Sequence, residues 1–257
     1  MKINRIEFQL SNQCNRQCKW CPAFYKKQEE QMLNIDTLSK MIETINNNIN
    51  YFEDKVQLTF DRYNEPLLYT EHLIKCVRLV KSKLKIKNLI LTINTNGDYL
   101  TKNNVEILSF FDRVQINGYD KETKVQAIIK LINIFGSCIC NKMKFHEEEN
   151  IVYFDNITYV YNKSKVMNFR DRGGSLKINS KERTKKCNIV GKFLMIEYDG
   201  CVYPCCDTTQ MIEQHSNMCC GNILNDNFEK IINKINKIET LNNKICKYCT
   251  ADICLFQ

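Results

Sequence analysis

An α/β fold built on a parallel sheet is predicted by two features of the sequence. Strand-like and helix-like segments alternate from residue 4 to residue 136, and the segments richest in cysteine and polar side chains follow the strand-like ones. Residues 4 to 10 place Ile6, Phe8 and Leu10 at alternate positions and read as the first strand. Residues 36 to 50 carry Leu38, Met41, Ile42, Ile45 and Ile49 at helical spacing. The pattern then repeats: VQLTF (56–60) is strand-like, residues 70 to 84 helix-like, and NLILTINTNG (88–97) a strand ending at Asn-Gly. A short helix over 101–110, a strand over 113–118 and a helix over 124–136 complete the run. Ligands of such sheets gather at the carboxyl ends of the strands, so the loops that follow them are the candidate functional loops.

The chain of 257 residues exceeds one typical domain, which suggests a main body with a smaller appendage. Past residue 137 the pattern changes to short strand-like runs, IVYF and ITYVY, and then to a cysteine-dense segment from Cys187 to Cys254. The boundary is expected within 165–186, giving a core over 1–165 and a second domain over 166–257. No run approaches the 18 or so apolar residues of a membrane span, and the first residues lack the apolar segment of a signal peptide, so a cytoplasmic address is expected. The net charge of +8 comes from dispersed lysines such as Lys81, Lys83, Lys85 and Lys87, which suits steering of an anionic substrate. With no RNA-binding aromatic motif or zinc-finger His pair beside them, no nucleic-acid partner is expected.

Fifteen cysteines in a chain of this size, grouped at metal-like spacings, read as ligands rather than as a disulfide framework. Cys14, Cys18 and Cys21 form C-x3-C-x2-C directly after the first strand. Three thiolates hold three irons of a [4Fe-4S] cluster and leave the fourth open for chemistry. In a chain this rich in cysteine, spacing alone is only suggestive; the context adds Trp20 just before Cys21 and further polar segments at later strand ends.

These residues resemble the radical SAM superfamily, whose C-x3-C-x-Φ-C signature is matched by Cys14, Cys18, Trp20 and Cys21. The resemblance implies a partial (β/α)6 barrel, S-adenosylmethionine (SAM) bound at the open iron, and an electron donor such as flavodoxin or ferredoxin. Phe60-Asp61-Arg62-Tyr63-Asn64-Glu65-Pro66-Leu67 looks like the family's Gly-Gly-Glu-type segment, with Tyr63-Asn64 in place of the glycines. Asn64 and Glu65 would then contact the SAM amino group, for which a carboxylate and polar acceptors are suited. Thr95-Asn96-Gly97 resembles the segment near the SAM ribose, although Asn-Gly by itself is a turn former. Gln115-Ile116-Asn117-Gly118 falls where the family contacts adenine, which nominates Asn117.

The second set begins with Cys187 and Cys205, which flank strand-like FLMIEY and CVY around an Asp199-Gly200 hairpin turn. Cys246 and Cys249 add a C-x2-C pair. Four thiolates make either a closed zinc site or an iron–sulfur site, and the spacing does not choose between them. The set resembles the shortened SPASM, or twitch, domain, and that resemblance implies a second [4Fe-4S] cluster on Cys187, Cys205, Cys246 and Cys249. Pro204-Cys205-Cys206-Asp207 and Gly221-Asn222-Ile223 follow the same pattern. Of the remaining cysteines, Cys219, Cys220 and Cys254 are the nearest to further ligands or hydrogen donors; the others read as small buried apolar residues.

Arg170-Asp171-Arg172-Gly173-Gly174 resembles an Arg-Gly element near SAM or substrate in related enzymes, and nominates Arg170 and Arg172 as catalytic candidates. An exposed Arg/Asp turn is the alternative reading. His72, His146 and His215 show no ligand spacing, and no phosphate loop or dinucleotide fingerprint is present. The resemblance points most closely to aminocyclitol dehydrogenases with a twitch domain, implying radical dehydrogenation of a hydroxyl-bearing small molecule. A peptide maturase is the enzymatic alternative, although Cys14 leaves no room before it for a precursor-recognition domain. A non-catalytic zinc or iron–sulfur protein would leave the motifs at successive strand ends without a purpose.

Overall fold

Among the described residues ten strands form one sheet: β1 (Ile3–Phe8), β2 (Phe52–Thr59), β3 (Asn88–Thr95), β4 (Arg113–Asn117), β5 (Lys144–His146), β6 (Ile151–Phe154), β7 (Ile157–Val160), β8 (Phe193–Ile196), β9 (Cys201–Tyr203) and β10 (Gly221–Asn222). The computed structural model describes residues 2–19, 21–24, 29–119, 121–162, 182 and 184–249. Trp20, Arg170, Arg172 and Cys254 lie outside the described residues. The spatial order is β10-β9-β8-β1-β2-β3-β4-β7-β6-β5. From β8 to β7 every neighbouring pair is parallel, so six parallel strands form an unclosed run, as a partial barrel requires. Antiparallel strands extend it at both ends.

Three helices lie where apolar periodicity predicts them. In α1 (Ile35–Asn47) the Asn34 side chain accepts from the Asp36 and Thr37 amides, and Leu38, Met41, Ile42 and Ile45 turn inward. In α2 (Thr70–Lys83) Leu73, Cys76, Val77 and Val80 are buried, while Lys81 and Lys83 occupy the last turn, where the helix dipole favours cations. A reciprocal Thr123–Gln126 capping box starts α3 (Lys124–Phe135). The 101–110 segment forms a 3-10 turn over Val105–Phe110 in place of the short helix expected. An unanticipated helix, α4 (Phe228–Asn236), is capped by Asn227 and buries Phe228, Ile231, Ile232 and Ile235.

Parallel strands buried on both faces explain why β1 is inaccessible at every position but Asn4, and β8 at all four. Phe8 stacks on Phe60 with centroids 5.5 Å apart. Each fully buried aliphatic such as Ile6, Leu58 or Leu194 contributes about 1.5–3 kcal/mol relative to exposure. The C-terminal segment is joined directly to this core: β8 pairs with β1 from Arg5↔Phe193 to Phe8↔Ile196, and the Gln9 amide donates to Ile196 O at 2.9 Å. The carboxyl ends of the parallel strands therefore share one edge. That edge carries the cysteine loop after β1, the 60–65 segment after β2, Asn96-Gly97 after β3 and Glu197 after β8. Among the described residues no helix is long and apolar enough to cross a membrane.

Candidate active site at the carboxyl edge of the sheet

Three of the predicted segments are tied into one hydrogen-bonded unit. The Glu65 amide donates to Gln13 O at 3.0 Å, joining the post-β2 segment to the start of the cysteine loop. The buried Glu65 carboxylate accepts from Leu67 N at 3.1 Å and Thr95 Oγ1 at 2.6 Å through Oε1, and from Asn96 N at 2.8 Å through Oε2. Burial pushes this carboxyl above its ordinary value, and the bonds from Thr95, Asn96 and Leu67 act in the other direction.

The cysteine loop is clamped from the other side by Asp98, which sequence reasoning missed. Arg16 reaches it with two bonds of 2.6 Å, from Nε to Oδ2 and from Nη2 to Oδ1, and Asn15 Nδ2 donates to Oδ2 at 2.8 Å. Asn96 Nδ2 donates to Asn15 Oδ1 at 2.8 Å, so the segment after β3 grips Asn15 and Arg16, two of the three residues inside the Cys14–Cys18 interval. Arg16 also lies over the Tyr119 ring at 5.7 Å. The available signal was Asp98 directly after Thr95-Asn96-Gly97, with an arginine between two cysteines of the loop.

Backbone conformation explains two residue choices. Gly97 has φ 73°, and a Cβ there would stand 2.7 Å from Ile116 Cγ2, so the close approach of β3 to β4 requires glycine. Tyr63 has φ 52°, the left-handed region that glycine favours, which accounts for the glycine of the related motif. Asn64 follows it, and both amide atoms of its side chain are buried without a partner in the structure. An orphaned donor and acceptor of this kind suit a polar ligand carrying both functions. Asn117 is buried at the end of β4 and accepts from Gln115 Nε2 at 2.7 Å.

Cys14, Cys18 and Cys21 are all partly exposed, and the Cys21 amide donates to Cys18 O at 2.9 Å. Burial pushes the Cys14 thiol up to about 12; the Arg16 amide, 3.5 Å from its sulfur, pulls it down, while Glu65, Cys21 and Cys18 push it further up. These couplings place the three sulfurs in one electrostatic neighbourhood. Such a thiol ionises at neutral pH when a cation replaces its proton, so the trio fits an iron cluster.

The second set lies in the C-terminal part of the core. Cys205 and Cys246 are buried in the main hydrophobic core, with Cys187 and Cys249 packed against it. Cys249 Sγ lies 3.7 Å from Asp207 Oδ2, two residues beyond Cys205, and the Cys187 amide donates to Thr240 Oγ1 at 3.1 Å. Burial holds the Cys205 thiol well above its ordinary value, reinforced by Cys206 and Asp207. Gly200, at φ 92°, makes the β8–β9 turn; a Cβ there would meet Asn222 Oδ1 at 2.7 Å. Among the described residues no three His, Cys, Asp or Glu side chains converge on the position of a single metal ion. A four-iron cluster spreads its thiolates over separate irons and does not need that convergence.

A buried ion pair joins the two halves of the edge. Arg62 donates to Glu197 Oε1 from Nη2 at 3.0 Å and from Nε at 3.3 Å, and also to Thr208 O. The Arg62 and Glu197 side chains are 1% and 0% exposed. Burial pulls the guanidinium down, and Glu197, Tyr63 and Glu7 more than offset it, so Arg62 stays charged. Tyr63 OH donates to Cys206 O, which adds a second tether to the Cys205–Thr208 turn.

The described residues thus form an open run of six parallel strands with a cysteine loop after the first strand and a cysteine-bearing hairpin beside that strand. Residues 187–251 match SPASM, an iron-sulfur cluster-binding domain, and the matched span holds Cys187, Cys205, Cys246 and Cys249. The chain is similar to BtrN in complex with AdoMet and 2-DOIA, with a TM-score of 0.71 at 20% identity over 97% of this chain and 94% of that one. BtrN in an open conformation gives 0.60 at 16% identity, covering 100% and 99%. Native anSMEcpe with bound AdoMet gives 0.56 at 14% identity, covering 95% and 88%. No curated protein matches the chain by sequence. At these identities the likeness is one of fold.

Proposed function

We propose that the chain is a radical SAM enzyme that reductively cleaves S-adenosylmethionine and abstracts a hydrogen atom from a hydroxyl-bearing small molecule, completing a dehydrogenation. One observation carries the reading: the cysteine loop, Glu65 and Thr95-Asn96-Gly97 form a single hydrogen-bonded unit through Gln13, Asn15, Arg16 and Asp98. Cys14, Cys18 and Cys21 would hold the first [4Fe-4S] cluster. Cys187, Cys205, Cys246 and Cys249 would hold the auxiliary one, in a domain over 166–257 that shares its sheet with the 1–165 core. When bound, the first cluster and SAM supply a 5'-deoxyadenosyl radical, and the auxiliary cluster an acceptor for the electron the substrate gives up.

The chain's own residues hold and orient. Glu65 fixes Asn96 and Thr95 against the cysteine loop, Asp98 keeps Arg16 and Asn15 in register, and the Asn64 amide offers a donor and an acceptor to SAM. Arg62 and Glu197 hold the Cys205–Thr208 turn at the sheet edge. Trp20, Asn117, Arg170 and Arg172 remain proposed contacts to SAM or substrate, with flavodoxin or ferredoxin the proposed electron source. A peptide substrate is the second reading, favoured by the fold shared with anSMEcpe bound to AdoMet and Kp18Cys peptide. Anaerobic incubation with SAM and dithionite tests the class: 5'-deoxyadenosine forms with the wild type and not with Cys14→Ala. Equal formation by both would refute the first-cluster assignment. Deuterium transfer into 5'-deoxyadenosine from labelled polyols, or from serine- and cysteine-bearing peptides, decides between the substrate classes.

A further inference from the structure

We infer that Asp61 is the base that takes the hydroxyl proton of the substrate, within a ring of polar side chains on the inner face of the parallel sheet; the inference rests on the proposed dehydrogenation. Strand register builds the ring. Gln9 bridges to Asp61, and its amide bonds to Ile196 O at 2.9 Å, which sets it level with Glu197. The Asn94 amide donates to Asp61 Oδ2 at 2.6 Å, Asn94 pairs with Gln115, and Gln115 pairs with Thr158. Glu197, Gln9, Asp61, Asn94, Gln115 and Thr158 therefore stand at one level, in or just past six neighbouring parallel strands. Their chain neighbours, such as Phe8, Phe60 and Ile93, alternate onto the opposite face and are buried in the hydrophobic core. The interior of a closed parallel barrel is dominated by branched apolar side chains, so a fully polar level points to a polar ligand.

Gln9 and Glu197 are 0% exposed, and Gln9 Oε1 and Glu197 Oε2 have no partner in the structure. Gln9 Nε2 donates to Met211 Sδ at 3.6 Å, and a thioether is a weak acceptor. Buried acceptors left open side by side suit a ligand that donates from several hydroxyls. Asp61, Asn94, Gln115 and Thr158 are half-buried, so Asp61 stands where the closed part of the ring meets its accessible part. Three carboxylates face this space. Arg5 holds Glu7 at 2.7 Å and Arg62 holds Glu197 at 3.0 Å, so each keeps a counter-ion. Asp61 is held by the neutral Asn94, whose N and Nδ2 both donate to Oδ2, so Oδ1 is the oxygen Asn94 does not engage. Desolvation and the nearby Glu7 push this carboxyl above its ordinary value, against Arg5, Thr59 and Asn94, which makes it a stronger base than an exposed aspartate. The step balances. A hydrogen atom leaves the carbinol carbon for the 5'-deoxyadenosyl radical and the hydroxyl proton goes to Asp61. The remaining electron goes to a one-electron oxidant, the part proposed for the auxiliary cluster, and C–O becomes C=O.

The test uses anaerobically reconstituted, cluster-loaded protein with SAM, dithionite and a panel of ring-deuterated inositols and amino-inositols, reading deuterium in 5'-deoxyadenosine and ketone by mass spectrometry. In Asp61→Asn the ketone formed per 5'-deoxyadenosine should fall about 100-fold or more, and Asp61→Glu should recover part of it. Calorimetric binding of the same probe to SAM-loaded, unreduced protein should persist in Asp61→Asn, because Gln9 and Glu197 still accept from the ligand. A ketone yield equal to that of the wild type overturns the proposal, and so does loss of probe binding, which would make Asp61 an anchor. If Asp61→Asn fails to load iron, the pH profile of the wild type decides. The charged groups around Asp61 are Arg5 and Glu7 on β1 and the Arg62–Glu197 pair, while β3 faces it with the neutral Thr92 and Asn94. Ketone per 5'-deoxyadenosine should fall as the pH drops through the carboxylate range, and Glu7→Gln, which removes a charge that pushes Asp61 up, should move that fall to lower pH. A flat ratio overturns the proposal. A wild type that cleaves SAM but takes deuterium from no polyol overturns the dehydrogenation and the base together; the other failures appear with deuterium transfer intact.

Discussion

Replacing Arg62 with methionine isolates the Glu197 carboxylate in a site where it is 0% exposed. Removing one partner of a buried pair costs about 3–5 kcal/mol, because the remaining charge keeps its desolvation penalty without its counter-ion. The variant also removes the bond to Thr208 O, so the upper half of that range is expected. With an unfolding entropy of about 2.1 cal/mol/K per residue over 257 residues, about 4 kcal/mol lowers the melting temperature by about 7 °C. The double variant Arg62→Met/Glu197→Leu removes both charges together and should recover most of the loss, since apolar replacement of a buried pair is often neutral. Anaerobic thermal unfolding of cluster-loaded wild type, both single variants and the double variant completes the cycle. If Arg62→Met costs under about 1 kcal/mol, or the double variant loses the sum of the two singles, the pair does not act as a buried unit and the reasoning fails.

Three further outcomes follow from the edge of the sheet. Asp98→Ala frees Arg16 and Asn15, so SAM cleavage should fall about tenfold or more while most iron is retained; unchanged cleavage would separate the clamp from the chemistry. Glu65→Ala leaves Thr95 and the Asn96 and Leu67 amides without their acceptor; equilibrium dialysis should show SAM affinity reduced, and an unaltered dissociation constant would count against its place in the site. Gly97→Ala combines positive φ with a 2.7 Å approach to Ile116 and should destabilise the fold by about 1–3 kcal/mol in denaturant unfolding, with no change if the turn relaxes freely.

The strong periodic signals were readable from the chain. α1, α2 and α3 and the first four strands fall within a few residues of their expected places, because apolar spacing there coincides with burial. The short elements were not: β5 is three exposed residues long, β10 is two half-buried residues long, and α4 lies in an asparagine- and lysine-rich stretch where only its four apolar positions mark a face. The motif residues Glu65, Thr95 and Asn96 were legible and do come together. Asp98, Arg62 and Glu197 were not, since a clamp between residues 82 positions apart, or an ion pair between residues 135 apart, has no local signature. The pairing of β8 with β1 also lay beyond sequence reach, because a four-residue apolar strand does not specify its neighbour. That pairing sets Glu197, and through Arg62 and Tyr63 the Cys205–Thr208 turn, at the edge that carries the first cysteine loop.

The central claim is that this edge holds two iron–sulfur clusters and that SAM binds at the first. Iron and sulfide analysis of anaerobically reconstituted protein, with electron paramagnetic resonance recorded before and after SAM is added, tests it most directly. The account predicts about eight irons and eight sulfides per chain, with a signal that SAM perturbs. Zinc in place of iron, with no spectral response to SAM, would contradict it and make both cysteine sets structural.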